Sequence, residues 1–177
     1  MSTAKWSFDP AHSELNFKIK HLMISTVTGS FPDFQVETTS SSDDFSDASV
    51  KVTVNVSSIN TKNSQRDGHL ASADFFDAEK FPEIIFESTS MEKKSGSDYV
   101  LNGNLNIKDV SKPVSLQVEF NGQSKDPWGN TKAGFTFEGK INREDFGLTY
   151  NAALETGGVL LGNEVKIIGE VQLQKQA

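Results

Sequence analysis

From Val50 to Val56 every second residue is valine, with Lys51, Thr53 and Asn55 between them. This two-residue period constrains the fold more than any other feature of the chain. A strand turns successive side chains to opposite faces, so alternating apolar and polar residues describe a sheet with one face buried and one wet. The pattern returns in Leu15, Phe17 and Ile19, in Leu101, Gly103, Leu105 and Ile107, and in Val114, Leu116, Val118 and Phe120. It returns again in Phe135, Phe137 and Ile141, and in Val165, Ile167, Val171 and Leu173. With shorter stretches at 31–36 and 84–86 these make about eight strands, the number at which an antiparallel sheet can close into a barrel and lose its exposed edges. The expected class is therefore all-β.

The connections agree with neighbouring strands joined by turns. KKSGSD at 93–98 and KDPWGN at 125–130 carry the Gly, Pro, Asn and Asp that supply hairpin geometry. Gly103, Gly139 and Gly169 interrupt regular strands, where a missing side chain permits bending or the close approach of another group. SSSDDFSD at 40–47 reads as a solvated polar loop, since its spacing does not match a calcium-binding loop. One stretch resists the strand reading. Ser64 through Asp77 predicts a short helix between strands, and Pro82 returns the chain to extended backbone.

A chain of 177 residues can bury one sizeable core, and no shift of composition divides it, so a single domain spanning 1–177 is expected. The formal charge of -7 repels phosphate backbones, which argues against a nucleic-acid partner. No cysteine is present, which excludes disulfides, thiolate nucleophiles and cysteine metal sites. MSTAKWSFDP has no apolar run after its lysine, so neither a secretory leader nor a stable membrane insertion is expected, and the cytoplasm is the simplest compartment. Thirteen phenylalanines against two tyrosines and two tryptophans concentrate apolar area in rings without polar handles. Strands of ~10 residues tilted by ~40° would enclose ~25 Å of axis, filled by side chains or left open for a long ligand.

Catalytic constellations are weak. Asp9, His12 and Ser13 have the residue types of a hydrolytic triad, but a triad is a matter of spatial geometry, and no G-x-S-x-G elbow occurs. Ser90 and Lys93 match S-x-x-K only at a strand end. His12, His21 and His69 are widely separated and H-E-x-x-H is absent, so no metal site and no cofactor are expected.

Four segments in order carry a family resemblance. FDPAHSELNFKIKHLMISTVTGSF (8–31) places Asp9, His12, Ser13, Phe17, His21, Gly29 and Phe31 as in the opening signature of the YceI-like proteins. RDGHLASADFFDAEKFPEIIF (66–86), GNLNIKDVSKPVSL (103–116) and the motif of Asn142, Arg143, Asp145, Phe146 and Gly147 resemble the rest of that family's pattern. The resemblance implies an eight-stranded antiparallel lipocalin-like β-barrel with a helix beside it. It further implies a hollow apolar interior, binding of a long-chain isoprenoid or acyl lipid, and a homodimer. Many members carry an export leader, and from its first residues this chain is expected to depart from them there.

On that footing the candidate lining is Phe17, Ile19, Phe31, Val52, Val54, Phe75, Phe76, Phe81, Phe86, Leu105, Phe120, Phe135 and Phe137, which point to a lining as a set, since any one of them taken singly reads first as plain core. His21, in phase with Phe17 and Ile19, and His69 are candidate donors to a ligand head. Arg143 is the candidate for a charged head, its alternative being an ion pair with Asp145 or Asp67. Asp9 with His12 and Ser13, and Asp67 with His69, read as braces of local structure. The expected function is non-enzymatic carriage or storage of such a lipid. The alternatives are a lipid-ester hydrolase using Ser13 and His12, and a filled-barrel, stress-related interaction protein without ligand.

Overall fold

The computed structural model describes residues 4–21, 24–41, 45–148 and 161–176, the side chains of His21 and Leu161 excepted. Ten strand segments follow one another: β1 (Ala4–Phe8), β2 (Glu14–His21), β3 (Ser25–Ser30), β4 (Phe34–Ser40), β5 (Ser49–Asn55), β6 (Glu83–Ser95), β7 (Asp98–Ile107), β8 (Val110–Lys125), β9 (Thr131–Asn142) and β10 (Leu161–Lys175). One helix, α1 (Ser64–Ala71), lies between β5 and β6.

These segments make eight staves. β10 pairs with β9 along one edge, and along the other with β2, from Leu161↔His21 to Glu170↔Glu14, and then with β1, from Leu173↔Phe8 to Lys175↔Trp6. β1 and β2 are thus one long stave interrupted by a 3₁₀ turn at Pro10–His12. β3 and β4 form the next stave, since β2 pairs with β3 and β1 with β4. β5, β6, β7, β8 and β9 follow in order, every pair antiparallel, and the ring closes. The all-β, eight-stranded antiparallel barrel expected from the alternation is the observed fold, with one short helix among the described residues.

The two ends of the barrel differ. At one end lie the β6–β7 turn at Gly96, the β8–β9 turn and the loop after β4. There Phe45 is 1% exposed, packed against Trp6, Phe120 and Phe135 with ring centroids 4.8, 5.4 and 4.9 Å apart. Phe120 and Phe135 stack at 5.1 Å, so rings close this end. The expected polar loop therefore conceals a core residue. Phe45 reaches inward with φ of 61°, a left-handed conformation that costs a side-chain-bearing residue about 1–3 kcal/mol unless its surroundings hold it there.

At the other end β5 stops at Asn55, level with Asp33, and the chain from 56 to 82 covers the opening. Asn63 caps α1 by accepting from the Arg66 amide at 3.0 Å. The helix ends earlier than the sequence pattern predicts: Ser72 takes extended backbone, with its amide on the His69 carbonyl at 3.1 Å, and turns replace helix from there to Lys80.

Two glycines make the wall of the barrel possible. A Cβ on Gly29 would lie 2.3 Å from Cζ of Phe17, its cross-strand partner, and one on Gly169 would lie 2.5 Å from Cζ of its partner Phe137. Each phenylalanine lies across the bare backbone of the neighbouring strand, which keeps its ring close to the sheet. Among the described residues no helix is long and apolar enough to cross a membrane.

Candidate functional site

Inside the staves is a cavity of about 270 Å³, lined by residues from all eight of them together with Leu70, Phe75 and Phe76 from the 56–82 segment. The inward phase of each strand supplies aliphatic and aromatic groups; Asn16, Thr38, Arg66 and Arg143 are the polar members of the wall. Among the described residues no Asp or Glu contributes to it, although the chain as a whole is acidic.

Most of the candidate lining reaches this wall: Phe17, Ile19, Phe31, Val52, Val54, Phe75, Phe76, Phe86, Leu105, Phe135, Phe137 and Arg143. Phe31 mediates between barrel and cover, 5.4 Å from Phe17 and 6.0 Å from Phe76 by ring centroids. Three candidates lie elsewhere. Phe120 is drawn into the ring cluster of the closed end by Phe45, Phe135 and Tyr99. Phe81 is partly buried where the cover turns back toward β6, its amide on the Asp77 carbonyl at 2.9 Å. His69 stands on the outside of α1, its Nε2 2.9 Å from Oδ2 of Asp74. The side chain of His21 lies outside the described residues.

Asp67 and His69, read from sequence as braces of local structure, hold separate partners. Asp67 Oδ1 accepts from the amide and hydroxyl of Thr61 at 2.8 and 2.6 Å, while Arg66 donates to the hydroxyl and carbonyl of the same residue at 2.8 and 2.7 Å. This clamp fixes the start of the cover and leaves the stem of Arg66 against the cavity.

Asp9, His12 and Ser13 are also held for structure. Ser13 Oγ donates to the Asp9 carbonyl at 2.7 Å and accepts from the Gln172 amide at 3.0 Å, and His12 Nδ1 meets Asp9 Oδ2 at 2.9 Å. His12 faces Asp9, with its side chain 64% exposed, and the Ser13 hydroxyl is occupied at the break between β1 and β2, away from the cavity wall. Burial pushes the Asp9 carboxyl up, but hydrogen bonds from His12 and Lys132 and their charges outweigh it and hold the group below its usual range. Among the described residues no cluster of three or more His, Asp or Glu could hold a metal ion.

Arg143 is 3% exposed and follows β9 in a 3₁₀ turn capped by Asn142 and ended by Gly147 in the left-handed region. Its Nε donates to the Gly162 carbonyl at 2.9 Å and its Nη1 to the Leu148 carbonyl at 2.6 Å, tying the turn to the start of β10. Among the described residues no carboxylate lies within ion-pair distance of it, so neither Asp67 nor Asp145 is its partner, and Nη2 is buried without a hydrogen bond. Burial pushes the guanidinium down from its ordinary value against the opposing field of Glu144, yet arginine starts so high that it stays charged. Thr38, 5% exposed on β4, has the other buried unpaired polar atom of the described residues, Oγ1. Its level is that of Trp6 and Lys175, toward the ring-closed end, whereas Arg143 follows Asn142, the partner of Glu164 near the opposite end of β10.

Comparison with known proteins follows the same geometry. A family model described as a YceI-like domain matches residues 6–173. The UPF0312 protein SA2479 of Staphylococcus aureus strain N315 is 47% identical over 162 residues, which is 91% of this chain and 92% of that protein. Among solved structures, the YCEI protein of Campylobacter jejuni is 34% identical with a TM-score of 0.77, covering 90% of this chain and 91% of that one. A polyisoprenoid binding domain from Saccharophagus degradans, implicated in plant cell wall breakdown, shares the fold at 14% identity, with a TM-score of 0.68 over 97% of this chain and 98% of that one.

Proposed function

The chain belongs to the YceI-like domain family, and from that premise we propose that it is a non-enzymatic carrier or store for a long isoprenoid or other acyl-chain amphiphile. The chain of the ligand lies in the barrel cavity and its polar end lies toward Arg143. The observation that carries the reading is the cavity itself: an internal space of about 270 Å³ walled by apolar side chains from every stave, where a filled barrel would have interlocking ones. Moving ~400 Å² of hydrocarbon surface out of water yields ~10 kcal/mol before association and ordering costs are subtracted, enough to hold a lipid without covalent chemistry. The polyisoprenoid for which the Saccharophagus degradans domain is described supports an isoprenoid as one such ligand.

The hydrolase alternative finds little support, because Ser13 and His12 brace a strand break outside the cavity wall. Native mass spectrometry of gently purified protein tests the proposal. The expected result is a lipid adduct of one ligand per chain, and the same spectrum reads whether two copies associate, as the family resemblance leads us to expect. Phe76→Asp should weaken rebinding of the recovered lipid far more than Lys125→Ala, which lies on an exposed hairpin end. Absence of any adduct, together with equal effects of the two substitutions on binding of an offered lipid, would count against carriage. Turnover of a lipid ester lost in Ser13→Ala would replace it with the hydrolase.

A further inference from the structure

We propose that the cavity selects chains ending in an oxyanion, a carboxylate or phosphate monoester, over neutral chains of the same length, and that Arg143 makes the choice. The inference rests on the carriage reading and names the class of head it takes. Arg143 is 3% exposed, and its guanidinium is bonded only to the carbonyls of Gly162 and Leu148 among the described residues. Carbonyl dipoles satisfy N–H groups but carry no net charge, so the positive charge is offset only by the field of nearby Glu144, with no carboxylate among the described residues in ion-pair contact. Nη2 is buried without a partner and belongs to a side chain that lines the cavity next to Leu148.

A neutral hydroxyl or ester carbonyl arriving there could accept from Nη2. An oxyanion would accept and also cancel the charge, and in a water-poor apolar surrounding the second effect is the larger one. The rest of the wall points the same way. Among the described residues its only other charged member is Arg66, on the cover, and none is acidic in a chain of net charge -7. The Arg66 guanidinium is held by Thr61 and only its stem faces the cavity. An anionic end therefore meets the charge of Arg143 and no acidic wall residue among those described, while the acidic exterior gives little reason for a free anion to gather at the surface.

The test compares hexadecanoate, hexadecyl phosphate, hexadecanol and methyl hexadecanoate on the delipidated full chain at pH 8, with inorganic phosphate as a further arm. The two anions are expected to bind about tenfold or more tightly than the two neutral chains. Their order separates a carboxylate-type from a phosphate-type site. In Arg143→Gln the gap should shrink to about threefold or less, because the anions lose more affinity than the neutral chains, and Arg143→Lys should keep part of it. Should Arg143→Gln fail to fold, the wild-type ratios decide alone. Equal binding of all four chains overturns the inference and leaves carriage standing. Binding of none removes both. Stabilisation by inorganic phosphate equal to that by hexadecyl phosphate would make this a free-anion site and overturn the inference as well.

Discussion

Thr38 occupies an inward position of β4, after Phe34 and Val36 and before Ser40, whose hydroxyl donates to Asp47 Oδ1 at 2.8 Å. The Thr38 hydroxyl has no such partner among the described residues. Valine has nearly the same shape and the same strand preference, so Thr38→Val removes an unsatisfied polar atom and little else. We expect the empty protein to gain about 1 kcal/mol, read as a higher urea midpoint at unchanged slope. A loss of stability would mean that the hydroxyl has a partner, a bound water included. This residue also marks the limit of reading the site from sequence. Parity along a strand assigned Phe17, Val52, Phe86 and Phe137 to the inner face correctly, because one face of the sheet must be apolar. Thr38 and Arg66 carry no apolar signal and so escaped notice. Phe120 shows the converse limit: residue type and parity do not distinguish a cavity wall from the ring cluster that seals one end.

At the scale of elements, alternation was sufficient for the eight staves but did not reveal that two of them are broken. The first break, between β1 and β2, is held by Asp9. Its carboxylate receives the Ala11 amide at 3.1 Å, His12 at 2.9 Å and Lys132 at 3.3 Å, so it joins the broken stave to β9, while the Asp9 amide bonds the Gln172 carbonyl of β10 at 3.0 Å. Asp9→Asn keeps the shape and removes the charge, and we expect it to cost about 1–2 kcal/mol at neutral pH, as hydrogen bonds to a charged group do. The folded carboxyl titrates below its ordinary value of 3.8, because its bonds and neighbouring cations outweigh burial. Its contribution is therefore complete above 3.8 and is lost as the pH falls through the lower folded value. Denaturant curves of the two proteins should diverge at neutral pH and converge in acid; a constant gap would locate the effect in packing. The turns show why some elements were illegible. Lys108 and Asp109 both adopt positive φ, 51° and 64°, in the tight hairpin between β7 and β8, without the Gly or Asn that usually announces it. Phe45 likewise sits in a run of Ser and Asp, and tertiary burial in the ring cluster overrides local composition there.

The whole molecule combines a continuous ring of antiparallel pairing with one covering segment held in a different way. Residues 56–82 are tied at their ends, where Asn60 exchanges backbone hydrogen bonds with Ser30 at 2.9 Å and the Val56 amide meets the Pro82 carbonyl at 3.0 Å. Between those ties α1 has no buried residue, and contact with the cavity comes from Arg66, Leu70, Phe75 and Phe76. A segment with local hydrogen bonds and few buried groups belongs to the least stable part of a structure, whereas strands paired on both sides open only with the whole. The opposite end is sealed by Phe45 and its ring neighbours, whose removal would expose core. If the chain carries a lipid as proposed, the lipid would enter and leave by displacement of the cover, and once bound would hold the cover down by packing against Phe75 and Phe76. Amide exchange across 64–82 should slow by about tenfold or more when lipid is bound, beyond any slowing in β7 and β8 that general stabilisation produces. Equal protection of this segment with and without lipid would show that the cover is not the gate, and would move the route to another gap between the staves.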